Sequence, residues 1–312
     1  MNRLNLDVCA IILNYDDYNN TVRLASELVG FDSIDKIVIV DNNSTDNSYY
    51  LLKKDFADCE KIEVVSSGKN GGYAFGNNFG IKYALNKYDV KGFFILNPDV
   101  RVEESTLQKI IKFVKDNSEL KIGTVGAKND SGVSAWKLPS FKDCLLLSSF
   151  VLSKLTGGDI SVIPKLLYKN EEFNERKEFA RAEVLPGSFF FIISEAIQDV
   201  GFLDEGTFLY FEESILAYKL LQRGYSNYLL TDVSFSHLEQ GSTRRIKFLK
   251  RYIMLQRSRM YYLVKYLNCN KFLIVLFKVI TFCGILEFLL YNFFKNMVRM
   301  TWKLLTRKRR IT

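Results

Sequence analysis

Proline is scarce, at four residues in 312, and the eighteen glycines follow no period. A collagenous, linker-dominated or disordered chain is excluded by that balance. Cysteine numbers five (Cys9, Cys59, Cys144, Cys269, Cys283), an odd count in which no pair is spaced as CxxC. Neither a disulfide framework nor a cysteine zinc site is expected, and the thiols read as reduced and cytosolic. Met1–Asp7 runs straight into a strand-like segment, so no secretory leader is expected. There is no internal repeat and no low-complexity segment. Histidine is reduced to one residue, His237, and acid is nearly lacking from the last part of the chain.

That last shortage divides the charge. Gly241–Thr312 carries 17 Lys and Arg against one acid, Glu287, a net +16, while Met1–Gln240 carries −8. Binding to nucleic acid over the main body is not expected, because the basic surface it needs is missing there. The asymmetry points instead to a tail that meets an anionic surface. At 48% hydrophobic and 14% aromatic, the chain has ample material for a core.

Five short, mostly β-branched or aromatic runs read as buried strands: Val8–Leu13, Lys36–Asp41, Lys61–Ser66, Gly92–Leu96 and Ile122–Ala127. Between them Tyr18–Val29, Asn47–Phe56, Gly72–Lys87 and Glu103–Asn117 repeat apolar residues three or four apart, as helices do. Such alternation predicts an α/β fold with a mainly parallel sheet and helices on both faces. Residues 131–183 are read as a variable insertion, a candidate acceptor-facing element. Beyond it, Val184–Ile193 reads as a loop entering a strand and Ser214–Arg223 as a helix closed by Gly224. Tyr225–Leu230 and Val233–Ser236 read as two more strands.

Ligands of open α/β sheets bind at the carboxyl ends of the strands. Here those ends are polar: Asn14-Tyr15-Asp16, Asp41–Asp46, Asn70–Asn78 and Asn97-Pro98-Asp99. Any one of them fits an ordinary turn or helix cap, but four in succession fit a binding cleft. The Asn70–Asn78 loop has neither GxGxxG nor GxxxxGK[ST] spacing, which excludes a dinucleotide or Walker-type reading. Asp99 fits either a hard divalent cation or a helix N-cap. A lone histidine such as His237 is more often a hydrogen-bonded structural residue than a ligand.

The ordered set ILNYDD (Ile12–Asp17), VDNNSTDNS (Val40–Ser48), NGGYAFGNNFG (Asn70–Gly80), LNPDV (Leu96–Val100), PGSFFFI (Pro186–Ile192), FLDEGTFLYFEE (Phe202–Glu213) and HLEQGST (His237–Thr243) resembles the GT-A-fold, family-2 inverting glycosyltransferases. The likeness is strongest to the rhamnosyltransferase-like branch that builds bacterial surface polysaccharides, and it covers about residues 7–243. It implies a GT-A-like nucleotide-binding fold and transfer from a nucleoside-diphosphate sugar, dTDP-rhamnose or a UDP-sugar, to a glycan or polyprenyl-diphosphate-linked acceptor. By the same resemblance Asn14 and Tyr15 line the nucleotide pocket and Asp41 accepts a hydrogen bond from the base. Asn43 and Asp46 support that loop, and Asn70 and Gly71 approach the ribose and diphosphate. Asn97 and Gly187 belong to the donor site. Asp99 and His237 hold Mg2+ or Mn2+; Asn97 stands where the family often has a first carboxylate. Glu213 is the base, with Glu212 and Asp204 orienting substrate, and Ile215 stands where the family commonly has an aspartate. Two adjacent acids repel each other, which raises one pKa and suits a base.

Residues 244–312 read as a basic, aromatic, helical tail that associates with the cytoplasmic face of an anionic membrane. On a helical wheel Lys271, Lys278, Thr281, Asn292, Asn296, Arg299 and Lys303 share one face, with Glu287 opposite. A helix lying in the interface is favoured over a spanning one or one packed on another chain. The rival readings for the whole chain are a nucleotidyltransferase and a non-catalytic membrane adaptor on the same fold. The oligomeric state is left open.

Overall fold

A computed structural model describes residues 4–308 apart from 131, 162–163, 169–177 and 239–246. Glu239–Thr243 of the HLEQGST segment and the terminal Arg309 and Arg310 thus lie outside the described residues. So do the side chains of Asn296, Arg299 and Lys303. The chain forms two units: the residues up to Leu138 with Leu167–Tyr262, and Pro139–Leu166 with the residues from Leu263 on.

The first unit opens with β1 (Leu4–Asn14), α1 (Tyr18–Val29), β2 (Lys36–Asp41), α2 (Ser48–Asp55), β3 (Ile62–Ser66), α3 (Tyr73–Lys87) and β4 (Tyr88–Leu96). It continues through β5 (Val100–Val102), α4 (Glu104–Asp116) and β6 (Ile122–Asn129). After the second unit's α5 (Phe141–Leu146) and α6 (Phe150–Leu155) come β7 (Phe179–Ala182), β8 (Phe189–Ile193), α7 (Ser194–Asp199), α8 (Glu212–Gln222) and β9 (Ser226–His237). Two helices close the chain, α9 (Phe248–Lys265) and α10 (Lys271–Lys308).

One sheet runs in the order β3-β2-β1-β4-β8-β6-β9-β5, with β7 also on β9. It is parallel from β3 to β4 and again between β6 and β9; β8, β5 and β7 run antiparallel to their neighbours. Side chains alternate across it. Ala10, Ile12, Ile39, Phe94 and Leu96 pack under α1 and α4, through Leu24, Leu28, Leu107 and Ile110. Cys9, Ile11, Val38, Val40, Phe93 and Ile95 pack under α3, α7 and α8. Burial on both faces is why these strands read as unbroken apolar runs.

Each of β2 and β3 is added outward from β1, and β4 then returns to β1's other side. The carboxyl ends of β1, β2 and β4 therefore open at a switch of winding direction, where a crevice forms.

Three features depart from the expected elements. The two strands expected over Tyr225–Ser236 are one, β9, because β6 pairs with it on both sides of residues 231–233, which bulge out of the ladder, with β7 pairing before and β5 after that bulge. The strands β5 and β7 are edge pieces of three and four residues, too short for a periodic signal. The basic helical tail is also two helices. Asn268, at φ 48°, turns the chain between them, and the Asn270 carboxamide oxygen accepts from Leu273 N–H to open α10.

The second unit is helical. Ser140 and Asp143 form a capping box at α5, and Lys165 pairs with Asp143 at 3.0 Å. Glu287 of α10 accepts from Ser149 Oγ and Phe150 N–H, both at 2.7 Å, at the start of α6.

Candidate functional site

At the end of β1, Asn14 is fully buried; its amide donates to Asp41 Oδ1 at 2.8 Å and its carbonyl accepts from Thr21 of α1. Asp41, also buried, accepts the Ser44 hydroxyl at 2.6 Å and the Ser44 N–H at 3.0 Å. A carboxylate so enclosed is a fixed anchor for the loop after β2. Tyr15 lies half-buried beside Asp16, whose left-handed backbone (φ 50°) aims its carboxylate at Thr45 N–H, 2.7 Å away. Asn43 is exposed and left-handed (φ 59°), and Asp46 receives Ser48 N–H at the start of α2.

The Asn70–Tyr73 turn is tied to the same loop. Asn42 donates to Asn70 Oδ1 at 3.2 Å and to the Gly72 carbonyl at 3.1 Å, and Asn70 Oδ1 accepts Gly72 N–H. Gly71 precedes that turn, half-buried. Gly72 itself is in a glycine-only backbone region (φ 91°, ψ −175°).

After β4, the Asn97 N–H donates to the Ser188 carbonyl at 2.9 Å, which sets the Pro186–Ser188 loop against the Asn-Pro-Asp segment. Asp99 is 4% exposed, and its Oδ1 lies 3.0 Å from His237 Nε2. Pairing of Val100 with His237 in the β5–β9 ladder brings the two together across 138 residues. Arg23 of α1 grips the backbone, donating to the carbonyls of Pro98 and Val100 at 2.9 and 2.8 Å.

The acidic pair opens α8. Tyr210 and Phe211 before it are both left-handed (φ 74° and 75°), a conformation that strains residues with a Cβ. Glu213 lies beside Gly187, where a Cβ would come within 2.7 Å of its Oε1; glycine leaves that space to the carboxylate. Tyr73 donates to the Gly187 carbonyl at 2.5 Å. Glu212 is 3% exposed, and its Oε1 has no partner among the described residues. Burial and the neighbouring Glu213 charge push Glu212 up to about 8, and burial raises Glu213. Burial and both glutamates push Tyr73 well above the usual phenol range, so it remains a donor.

The Leu203–Phe211 loop that delivers this pair is held from two sides. Asn78 of α3 accepts Leu203 N–H and donates to the Leu203 carbonyl, each at 2.9 Å. From α9, Ser258 donates to the Leu209 carbonyl and Tyr261 to Asp204, each at 2.9 Å. Arg259, fully buried, lies over the Phe211 ring at 5.7 Å. Asp204 also accepts Gly206 N–H, so its carboxylate shapes the loop.

Residues predicted from sequence thus lie along one path: Asn14 to Asp41, the turn of Asn70 and Gly71, Gly187 with Glu213, Asn97, then Asp99 with His237. Asn43 and Asp46 lie at its exposed end, and Asp204 turns toward α9. Sequence reasoning assigned no role to Tyr73 or Asn78, although both sit inside the quoted NGGYAFGNNFG motif, and missed Arg23 and Arg259, which carry no local signal.

The donor chemistry suits a hard divalent ion. Two neighbouring ligands with bonds of about 2.1 Å stand roughly 3 Å apart, as Asp99 Oδ1 and His237 Nε2 do. No group of three His, Cys, Asp or Glu side chains is assembled among the described residues, so other positions would fall to ligand oxygens or water.

A family model described as Glycosyl transferase family 2 matches residues 9–201. The chain belongs to that family. Among curated relatives of this family-2 chain, the low-salt glycan biosynthesis hexosyltransferase Agl10 of Haloferax volcanii is 24% identical over 68% of this chain and 61% of its own length. The dTDP-rhamnosyl transferase RfbF of Shigella flexneri is 24% identical over 75% of this chain and 70% of its own. This chain therefore spans under two thirds of the Haloferax relative's length. Among solved structures, mannosyltransferase PcManGT from Pyrobaculum calidifontis, in complex with GDP-Man and Mn2+, superposes with a TM-score of 0.55 at 15% identity, over 86% of this chain and 66% of that one. S. aureus TarS 1-349 with UDP-GlcNAc gives 0.55 at 14%, over 85% and 68%. At these identities the structural likeness is one of fold, and the fold is the GT-A α/β type.

Proposed function

We propose that this chain transfers a sugar from a nucleoside diphosphate to a hydroxyl of a growing or polyprenyl-diphosphate-linked surface glycan, with inversion at the anomeric carbon. The observation that carries the reading is the joining of a buried Asp–His pair, a strained acidic helix start and the polar ends of β1 and β2 beside one switch point. The complexes named for the solved neighbours, with GDP-Man and UDP-GlcNAc, support a nucleotide-sugar donor. The name of the Shigella relative supports dTDP-rhamnose as the first donor to try.

In this reading the ends of β1 and β2 seat the nucleoside, and the Asn70–Tyr73 turn offers backbone N–H groups to the diphosphate. Asp99 and His237 would hold Mg2+ or Mn2+, which when bound neutralises charge developing on the departing diphosphate. Glu213 takes the proton of the acceptor hydroxyl as its oxygen bonds to the anomeric carbon and the carbon–phosphate oxygen bond breaks. The Gly187 backbone and the Tyr73 hydroxyl fix where that carboxylate stands. Glu212, enclosed and without a partner at Oε1 among the described residues, would orient the substrate beside it. The acceptor would be met at the cytoplasmic face of an anionic membrane, through the bases of the tail.

The test is a panel of nucleotide sugars with Mn2+, scored first by thermal shift and then by nucleoside diphosphate release with acceptor. One donor should stabilise the protein and be consumed. Glu213→Gln should lower kcat by about 10²- to 10⁴-fold with donor binding unchanged. Normal turnover by that variant would remove Glu213 as the base.

A further inference from the structure

The second unit carries an apolar surface that the site does not use. Along α10, Phe272, Val275, Val279, Phe282, Leu286 and Leu289 recur every three or four residues and are 42–74% exposed. On the opposite side of the helix Phe277 and Gly284 are buried. Lys271–Lys295 contains an 18-residue window of mean hydropathy 2.4 and is, by length and composition, long and apolar enough to cross a membrane. Its interior also holds Lys278, which is exposed, and Glu287.

Glu287 decides between spanning and lying flat. It is the single acid among the 17 bases of Gly241–Thr312. It accepts from Ser149 Oγ, from Phe150 N–H at 2.7 Å and from Val151 N–H at 3.2 Å, and Phe150 stacks on Phe288 at 6.2 Å. The acid of α10 is therefore taken up on the first turn of α6, away from the stripe, which leaves the exposed side of α10 apolar and basic. Glu287 lies about 24 Å along the helix from Lys271, and Lys278 about 10 Å. A spanning α10 would take Lys278, Glu287, Ser149 and the α6 start into hydrocarbon together, at several kcal/mol for each ion. A flat helix leaves all of them at headgroup depth.

We infer that α10, locked to α6 through Glu287, forms a composite docking surface that lies in the plane of an anionic lipid bilayer with its Phe272–Leu289 stripe sunk to the acyl boundary. The occupant is the lipid surface because Lys271 and Lys278 border the stripe along α10, and the acid of that helix, Glu287, is turned to α6. The segment Pro139–Leu166 then belongs to the docking surface. This inference rests on the reading that the tail meets a membrane, and not on sugar transfer.

The full-length protein is mixed with phosphatidylcholine vesicles with or without phosphatidylglycerol, in the absence of nucleotide. Variants with a single added thiol, Lys271→Cys or Lys295→Cys, are treated with a membrane-impermeant maleimide, and the native Cys283, exposed on α10, is followed separately. Expected are co-sedimentation only with the anionic vesicles, equal labelling at both added thiols, and loss of Cys283 labelling on adding lipid. Phe282→Asp should weaken vesicle binding at least about tenfold with nucleotide-sugar binding retained. Labelling at only one of the two positions overturns the flat arrangement while keeping the membrane. Failure to sediment with either vesicle overturns both. Protection of Cys283 without lipid, together with a dimer in solution, assigns the stripe to a second copy and overturns the inference.

Discussion

Gly72→Ala tests how tightly the donor turn and the acid-bearing loop are coupled. At Gly72 the backbone is in a region that essentially only glycine occupies, and the Phe208 carbonyl accepts Tyr73 N–H at 3.1 Å just beside it. A Cβ at Gly72 would overlap the Phe208 carbonyl and stand 2.8 Å from Phe208 Cα, against ordinary contacts that begin at 3.4 Å. The obstacle is backbone, so Phe208 must retreat by about 1 Å, and Glu212 follows four residues later. The strain term is about 1–3 kcal/mol. A shift of that size at a reacting group costs on the order of 100-fold in rate. The expected outcome is a Tm lowered by several degrees and a kcat lowered about 100-fold, read by nucleoside diphosphate release. A variant with full kcat would show that the loop does not need this contact to place Glu213, and the coupling argument would fall.

Asp99→Asn and His237→Ala should each remove the Tm increase produced by Mn2+ and lower turnover by about 10²-fold or more; a Mn2+ response intact in both variants would dissociate the pair from the metal. Glu212→Gln should stabilise the protein, and more so at pH 8 than at pH 5. With its carboxyl raised in the folded state, the native protein holds a proton that the unfolded chain releases, so stability falls as pH climbs from the ordinary carboxylate range toward about 8. Glutamine removes that fall. Equal Tm gains at the two pH values would refute it.

The α/β half of the chain is legible because burial on both faces turns each strand into an apolar run, and polar residues mark where each run stops. That is how β2 and α1 could be bounded to the residue and Asp41 and Asp99 picked out at strand ends, whereas Glu213 is reached only through the family resemblance of FLDEGTFLYFEE. What resists reading is anything decided by distant pairing. The segment Thr231-Asp232 looks like a break because its own composition is polar; in the fold it is a bulge, and only β6 pairing on both sides of it makes one strand of the two runs. Arg259 looks like one more base in a basic stretch, and composition cannot distinguish a cation in solvent from one with no exposed surface. Glu287 likewise reads as a blemish in an apolar helix until Ser149 and Phe150, some 137 residues upstream, are found donating to it.

Charge counting makes one tail of residues 244–312, yet α9 as far as Tyr262 belongs with the α/β unit, and a reason can be given in energies. Two consecutive left-handed residues, Tyr210 and Phe211, carry about 1–3 kcal/mol of strain each, which something adjacent must offset. The contacts that do so come from α9: Arg259 over Phe211, Tyr262 against the same ring at 5.4 Å, and Ser258 on the Leu209 carbonyl. Arg259→Met keeps most of the volume but removes the guanidinium and its ring contact, so it should lower stability by about 2–4 kcal/mol. If α9 serves only the fold, kcat per folded molecule will not change. If it holds the acid-bearing loop in its strained form, kcat falls about 10- to 100-fold while donor KM moves less than about threefold, and Tyr261→Phe, which loses only the hydroxyl on Asp204, shows a milder version of the same split. Loss of Tm with an unaltered kcat in both variants would return α9 to a purely structural part.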